Sequence, residues 1–77
     1  MAKHRRPYQS PFAPLLTADR YAFATQLATR YGKDQSEILF AYLQITAATQ
    51  ALSLAEGSRQ REIDRRFQAF LAADQPQ

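Results

Sequence analysis

Residues 38 to 55, ILFAYLQITAATQALSLA, run for eighteen positions without one charged side chain. Just before them stands Asp34-Gln35-Ser36-Glu37. Asp34 is spaced to accept from the amide of Glu37 while the Glu37 carboxylate reaches back to Asp34, a capping box that opens a helix. At about 100° per residue, Ile38, Leu39, Phe40, Tyr42, Leu43, Ile45, Leu52 and Leu54 spread over roughly two thirds of the helix circumference. Small Ala41, Ala48, Ala51 and Ala55, with Gln44 among them, fill most of the rest. A surface helix in a small monomer hides only about a third of its circumference, so the rest of this chain is too short to cover such a helix. The expectation is a helix buried on nearly every side, with a second copy supplying the missing cover.

Working outward toward the C-terminus, Gly57 is the expected stop of the charge-free helix and Ser58 the cap of the next. In that third helix Ile63, Phe67, Phe70 and Leu71 recur at i, i+4, i+7 and i+8, an amphipathic stripe too apolar to leave in water. Asp74 to Gln77 should fray. Toward the N-terminus, Gly32 is the expected left-handed end of an earlier helix that starts at Thr17 as N-cap. Tyr21, Phe23, Ala24, Leu27, Ala28 and Tyr31 share one side of it, opposite Asp19, Gln26 and Arg30. Tyr21, Tyr31 and Tyr42 have the spacing of core residues. Residues 1 to 16 contain Pro7, Pro11 and Pro14, which predicts an extended arm, with Phe12 to Leu16 as the place for one short strand. The resulting organisation is mainly α. A flexible, basic, proline-rich arm spans 1–14, a helical dimerisation core 15–56, a C-terminal amphipathic helix 57–73 and a frayed tail 74–77.

Composition narrows how such a chain is stabilised. It has 77 residues, no cysteine and one histidine. At this size a single core supplies only a few kcal/mol, and disulfides, metals or association commonly add to it. Without cysteine there is neither a disulfide nor a thiolate metal site, and a lone imidazole makes no cluster. No metal and no cofactor is therefore expected, and self-association is the remaining route.

The net charge of +3 sits entirely on Lys3, Arg5 and Arg6, because from Tyr8 onward seven Lys or Arg balance seven Asp or Glu. Such an arm reads either as a solubilising tail or as an electrostatic grip on phosphate or anionic lipid. Arg59, Arg61, Arg65 and Arg66 form a second basic group, but Glu62 and Asp64 interrupt it. Glu62 and Arg66 make an i,i+4 pair, so this group reads as a solvated helix face. The basic start leads into prolines instead of an apolar segment, which argues against a secretory signal and for a cytoplasmic protein. Gln44, Thr46, Thr49, Gln50 and Ser53 would be costly in hydrocarbon, so membrane insertion is not expected.

Leu27, Ala28 and Gly32, followed by Ser36, Glu37, Ile38 and Ala41, lie in a segment, LTADRYAFATQLATRYGKDQSEILFAYL, that resembles the ribbon-helix-helix family of the Arc and MetJ type. The likeness covers about residues 15–43. It implies an intertwined homodimer in which two N-terminal strands pair into a ribbon and the second helices cross in a shared core. It further implies duplex DNA as a partner, with the ribbon in the major groove and helix N-termini on phosphates. Lys33, Gln35 and Ser36 would stand at that phosphate-binding end. Lys3, His4, Arg5 and Arg6 would add arm contacts, with Tyr8 as the aromatic beside them. The appended third helix resembles the one with which antitoxin-type members cover a protein partner.

Catalysis is not expected. His4 lies in the arm, no glycine-rich phosphate loop exists, and Ser10, Ser36, Ser53 and Ser58 have no base placed by spacing. Two classes remain: a small dimeric DNA-binding protein, such as a repressor, antitoxin-like autoregulator or mobile-element accessory factor, and a helical adaptor that docks on another protein. Both use a dimer or partner interface made by Ile38, Leu39, Tyr42, Leu43, Ile45 and Leu52 of the charge-free helix. Ile63, Phe67, Phe70 and Leu71 of the third helix extend it. Alternating polar residues in the strand would favour DNA, and prolines there favour the adaptor.

Overall fold

The computed structural model of the chain describes residues 8 to 73. They form one turn of 3-10 helix, Ala13–Leu16, followed by α1 (Arg20–Tyr31), α2 (Gln35–Gln50) and α3 (Glu56–Ala73). The chain is mainly α, and no strand occurs among the described residues. The short strand expected at Phe12 to Leu16 is thus corrected to a helical turn. Pro14 sits in its first positions, where a missing amide hydrogen costs nothing. Leu15 donates to the Phe12 carbonyl at 2.9 Å, and this tight turn points both Phe12 and Leu15 into the core.

The helix ends follow local chemistry, with shifts from the expected positions. Gly32 stops α1 at φ 66°, in the left-handed region that glycine enters freely, and the amides of Gly32 and Lys33 both donate to the Ala28 carbonyl. Asp34 caps α2 by accepting from the amide of Ser36 at 3.1 Å, one residue earlier than the capping box requires. Thr17 does not cap α1. Its hydroxyl donates to the Pro14 carbonyl and accepts from the Asp19 amide, which joins the 3-10 turn to a helix beginning at Arg20.

The larger correction lies at the end of α2. The helix stops at Gln50, and Ala51 to Ala55 form a turn. The Leu52 amide donates to Thr49, the Leu54 amide to Leu52, and the Arg59 guanidinium to the Leu54 carbonyl at 3.2 Å. Gly57 has no positive φ and, with Ser58, lies inside the first turns of α3. Continuing α2 to residue 55 would carry the chain away from the core. The turn instead brings α3 back along α2, and packing overrides helix propensity.

Phe12, Leu15, Ala24, Leu27, Ile38, Tyr42, Ile63, Phe67 and Leu71 form the core. Phe67 is its centre. The ring is fully buried, meets Phe12 edge-on at 4.7 Å and Tyr42 edge-on at 5.0 Å, and stacks on Phe70 at 5.9 Å. Edge-to-face contact sets the positive ring edge against a negative face, which adds to simple burial.

Candidate interaction surface

One side of α2 stays open. Phe40 is 64% exposed and Leu43 65%, while Leu16 from the 3-10 turn and Tyr21 from α1 are each 59% exposed. They border a groove of ≈ 810 Å³ whose floor is the α2 stripe Ser36, Leu39, Phe40, Leu43, Thr46, Ala47 and Gln50. Leu15, Leu16, Arg20 and Tyr21 make its wall. The stripe has helical spacing, so a single face of α2 is presented along its whole length. Arg20 is the only charged lining residue, and it is already engaged: its Nε donates to the Thr17 carbonyl at 3.2 Å and its guanidinium lies 5.9 Å from the Tyr21 ring centre. Thr46 keeps its hydroxyl buried and without a hydrogen-bond partner.

A second surface joins the arm to α3. The Tyr8 hydroxyl donates to Asp64 Oδ2 at 2.7 Å, the Ser10 hydroxyl to Oδ1 at 2.9 Å and the Gln60 amide to Oδ1 at 3.0 Å. Asp64 is buried, and these donors satisfy a carboxylate that would otherwise be costly there. The hydrogen bond to Asp64 pushes the Tyr8 hydroxyl above its ordinary pKa, while the Arg61 guanidinium, 4.9 Å over the ring, pulls the other way. Burial raises Tyr42 as well. Farther along α3, Glu62 accepts from Arg65 and Arg66 and is held at about 2, well below the usual carboxylate range. The expected Glu62–Arg66 pair is present at 2.6 Å.

The residues expected to bind nucleic acid divide into three groups. Lys3, His4, Arg5 and Arg6 lie outside the described residues. Tyr8 anchors the arm root on α3 instead of standing clear. Lys33, Gln35 and Ser36 do cluster at the start of α2, but they have local work. Lys33 Nζ sits 4.9 Å over the Phe70 ring, and the Gln35 amide donates to the Tyr21 carbonyl at 3.0 Å and to Thr25 Oγ1 at 2.9 Å. The Asp34 carboxylate already holds the Ser36 amide.

Among the residues expected at an interface, Ile38, Tyr42, Ile63, Phe67 and Leu71 are buried within the chain itself. Leu39, Ile45 and Phe70 are half-buried against that core, and Leu43 and Leu52 face water. Phe40, Leu16 and Tyr21 are surface residues that sequence reasoning left out; Tyr21 in particular is exposed, not packed. Phe40 carried a usable signal, since it shares a seven-residue spacing with Ala47 and a three-residue spacing with Leu43.

No helix among the described residues is long and apolar enough to cross a membrane. No family model matches the chain, and no curated protein or solved structure is significantly similar to it.

Proposed function

We propose that the chain is a non-enzymatic association module whose working surface is the open side of α2, and that this surface takes an apolar helix from another polypeptide. The observation that carries the reading is the set of four large apolar side chains, Leu16, Tyr21, Phe40 and Leu43, left more than half exposed around one groove. Side chains of this size present about 150–250 Å² each when aromatic, so roughly 400 Å² of apolar area stays in water, within the ~300–600 Å² of the largest patch on a typical monomer, which is often a functional contact. A stripe with helical spacing is read by a helix laid along it. The wall from the 3-10 turn and α1 fixes the side from which that helix enters.

The test is a titration of the dilute chain into a labelled, leucine-rich amphipathic peptide, followed by fluorescence anisotropy. Saturable binding is expected, and Phe40→Asp should weaken it at least about tenfold, the equivalent of 1.4 kcal/mol. Absence of binding, or binding indifferent to Phe40→Asp, overturns the reading.

A DNA-binding role is the second reading, and the arm supports it. The Asp64 anchor and Arg61 hold Tyr8 on α3 directly after the cluster Lys3, Arg5 and Arg6. This favours phosphate contact over base reading, since the ribbon segment is a helical turn. Neutralising the three arm cations together should then lower the slope of log affinity against log salt by up to about three, alike for different sequences. An unchanged slope removes the arm from the phosphates.

A further inference from the structure

We infer that the occupant of the α2 groove is a second copy of this chain, set antiparallel so that two α2 helices cross near Leu43 and Thr46. The inference rests on the association reading above and adds whose helix it is.

The open stripe is graded in size. After Ser36 its N-terminal half holds the bulky Leu39, Phe40 and Leu43, and its C-terminal half the small Thr46 and Ala47, followed by the flexible Gln50. A twofold contact is isologous, so whatever one copy offers must fit itself. In an antiparallel pair the bulky half of each helix lies on the slender half of the other, and Phe40 lies toward the gap over Ala47 of the second copy. A parallel pair would set Phe40 against Phe40 and Ala47 against Ala47, a bulge beside a void, which close-packed interfaces do not tolerate. The stripe is therefore complementary to itself when reversed, and this side-chain gradient sets the direction of the second copy.

Charge agrees. Residues 38 to 55 bring no formal charge to the seam from either copy, and Arg20 at the wall already has its partners, so the contact buries no new unpaired ion. Area sets the strength: two faces of roughly 400 Å² contribute about 800 Å², below the ~1,200 Å² at which stable specific interfaces begin, so the dimer is of the weak, reversible class.

Because the chain has no cysteine, single cysteines report the geometry without background. Sedimentation of the full chain should show a concentration-dependent dimer. Phe40→Asp should raise the dissociation constant at least about 30-fold and leave the circular dichroism of the helices unchanged, since Phe40 is outside the monomer's core. Under mild oxidation, an equimolar mixture of Phe40→Cys and Ala47→Cys chains should link one to the other, while Phe40→Cys alone links poorly. Efficient linking of Phe40→Cys to itself overturns the antiparallel arrangement. A dimer indifferent to Phe40→Asp places the contact elsewhere and also sinks the inference. If the chain stays monomeric throughout the micromolar range but still binds the amphipathic peptide, the second copy is excluded and the association reading stands. Monomers that bind no peptide sink both.

Discussion

The two sides of α2 are alike in composition and opposite in surroundings. Ile38 and Tyr42 are sealed between α1 and α3, while Phe40 and Leu43, on the same helix and as apolar, face open water. The difference lies in what packs against each side. α3 returns along one face with Ile63, Phe67 and Leu71, whereas the other face meets only the edge made by Leu15, Leu16, Arg20 and Tyr21. Apolar content tells how much surface a helix needs to hide; the neighbouring elements decide which part is hidden.

The contrast is broken most severely on the sealed side. Phe67→Ala removes the ring on which Phe12, Tyr42 and Phe70 converge, and no neighbour is free to fill the space. A loss of about 3–5 kcal/mol is expected. At this size a single core supplies only about 3–5 kcal/mol, so this variant should be largely unfolded or lack fixed packing. Chemical denaturation followed by circular dichroism measures it. A shift below 1 kcal/mol would mean that α3 does not complete the core.

A smaller effect is expected at the polar clasp on that same side. Asp64→Ala deprives the Tyr8 hydroxyl, the Ser10 hydroxyl and the Gln60 amide of their acceptor. Hydrogen bonds to a charged group contribute about 1.5–3 kcal/mol, and Tyr8 is exposed enough for water to replace part of its share, so about 2 kcal/mol is the expected loss. Tyr8→Phe should reproduce a fraction of it and add little in the Asp64→Ala background, a coupling that a double-mutant cycle reads directly. Full additivity would show that the clasp does not act through Asp64.

These two tests also mark where sequence reading succeeds. Gly32 as a left-handed stop, Asp34 as a cap and the stripe through Ile63, Phe67 and Leu71 are local patterns, and the structure contains each of them. The Asp64 clasp spans 56 residues to Tyr8 and 54 to Ser10, and no local spacing encodes it. The end of α2 at Gln50 was hidden for a related reason. Ala51 to Ala55 have good helix propensity, and only the need of α3 to fold back makes them a turn. The prolines at 11 and 14 pointed to an extended arm, yet Pro14 suits the first turn of a helix equally well, and the burial of Phe12 and Leu15 selects that alternative.

The smallest effect belongs to the open side, and it is the sharpest test of the contrast. Leu43 shares α2 with Ile38 and Tyr42, and the reading of α2 as buried all round would make Leu43→Ser as damaging as any core truncation. In the single chain Leu43 is 65% exposed, so little apolar surface leaves water when it folds. At high dilution, where association is absent, Leu43→Ser should change stability by no more than about 0.5 kcal/mol, the usual range for surface positions. At high concentration the same substitution should lower the midpoint of thermal unfolding, because a partner that binds only the folded chain adds to its stability by mass action. Melting curves of both proteins over a wide concentration series separate the two contributions. Equal destabilisation at every concentration would mean that Leu43 is already covered within one chain, and the two sides of α2 would then be alike after all.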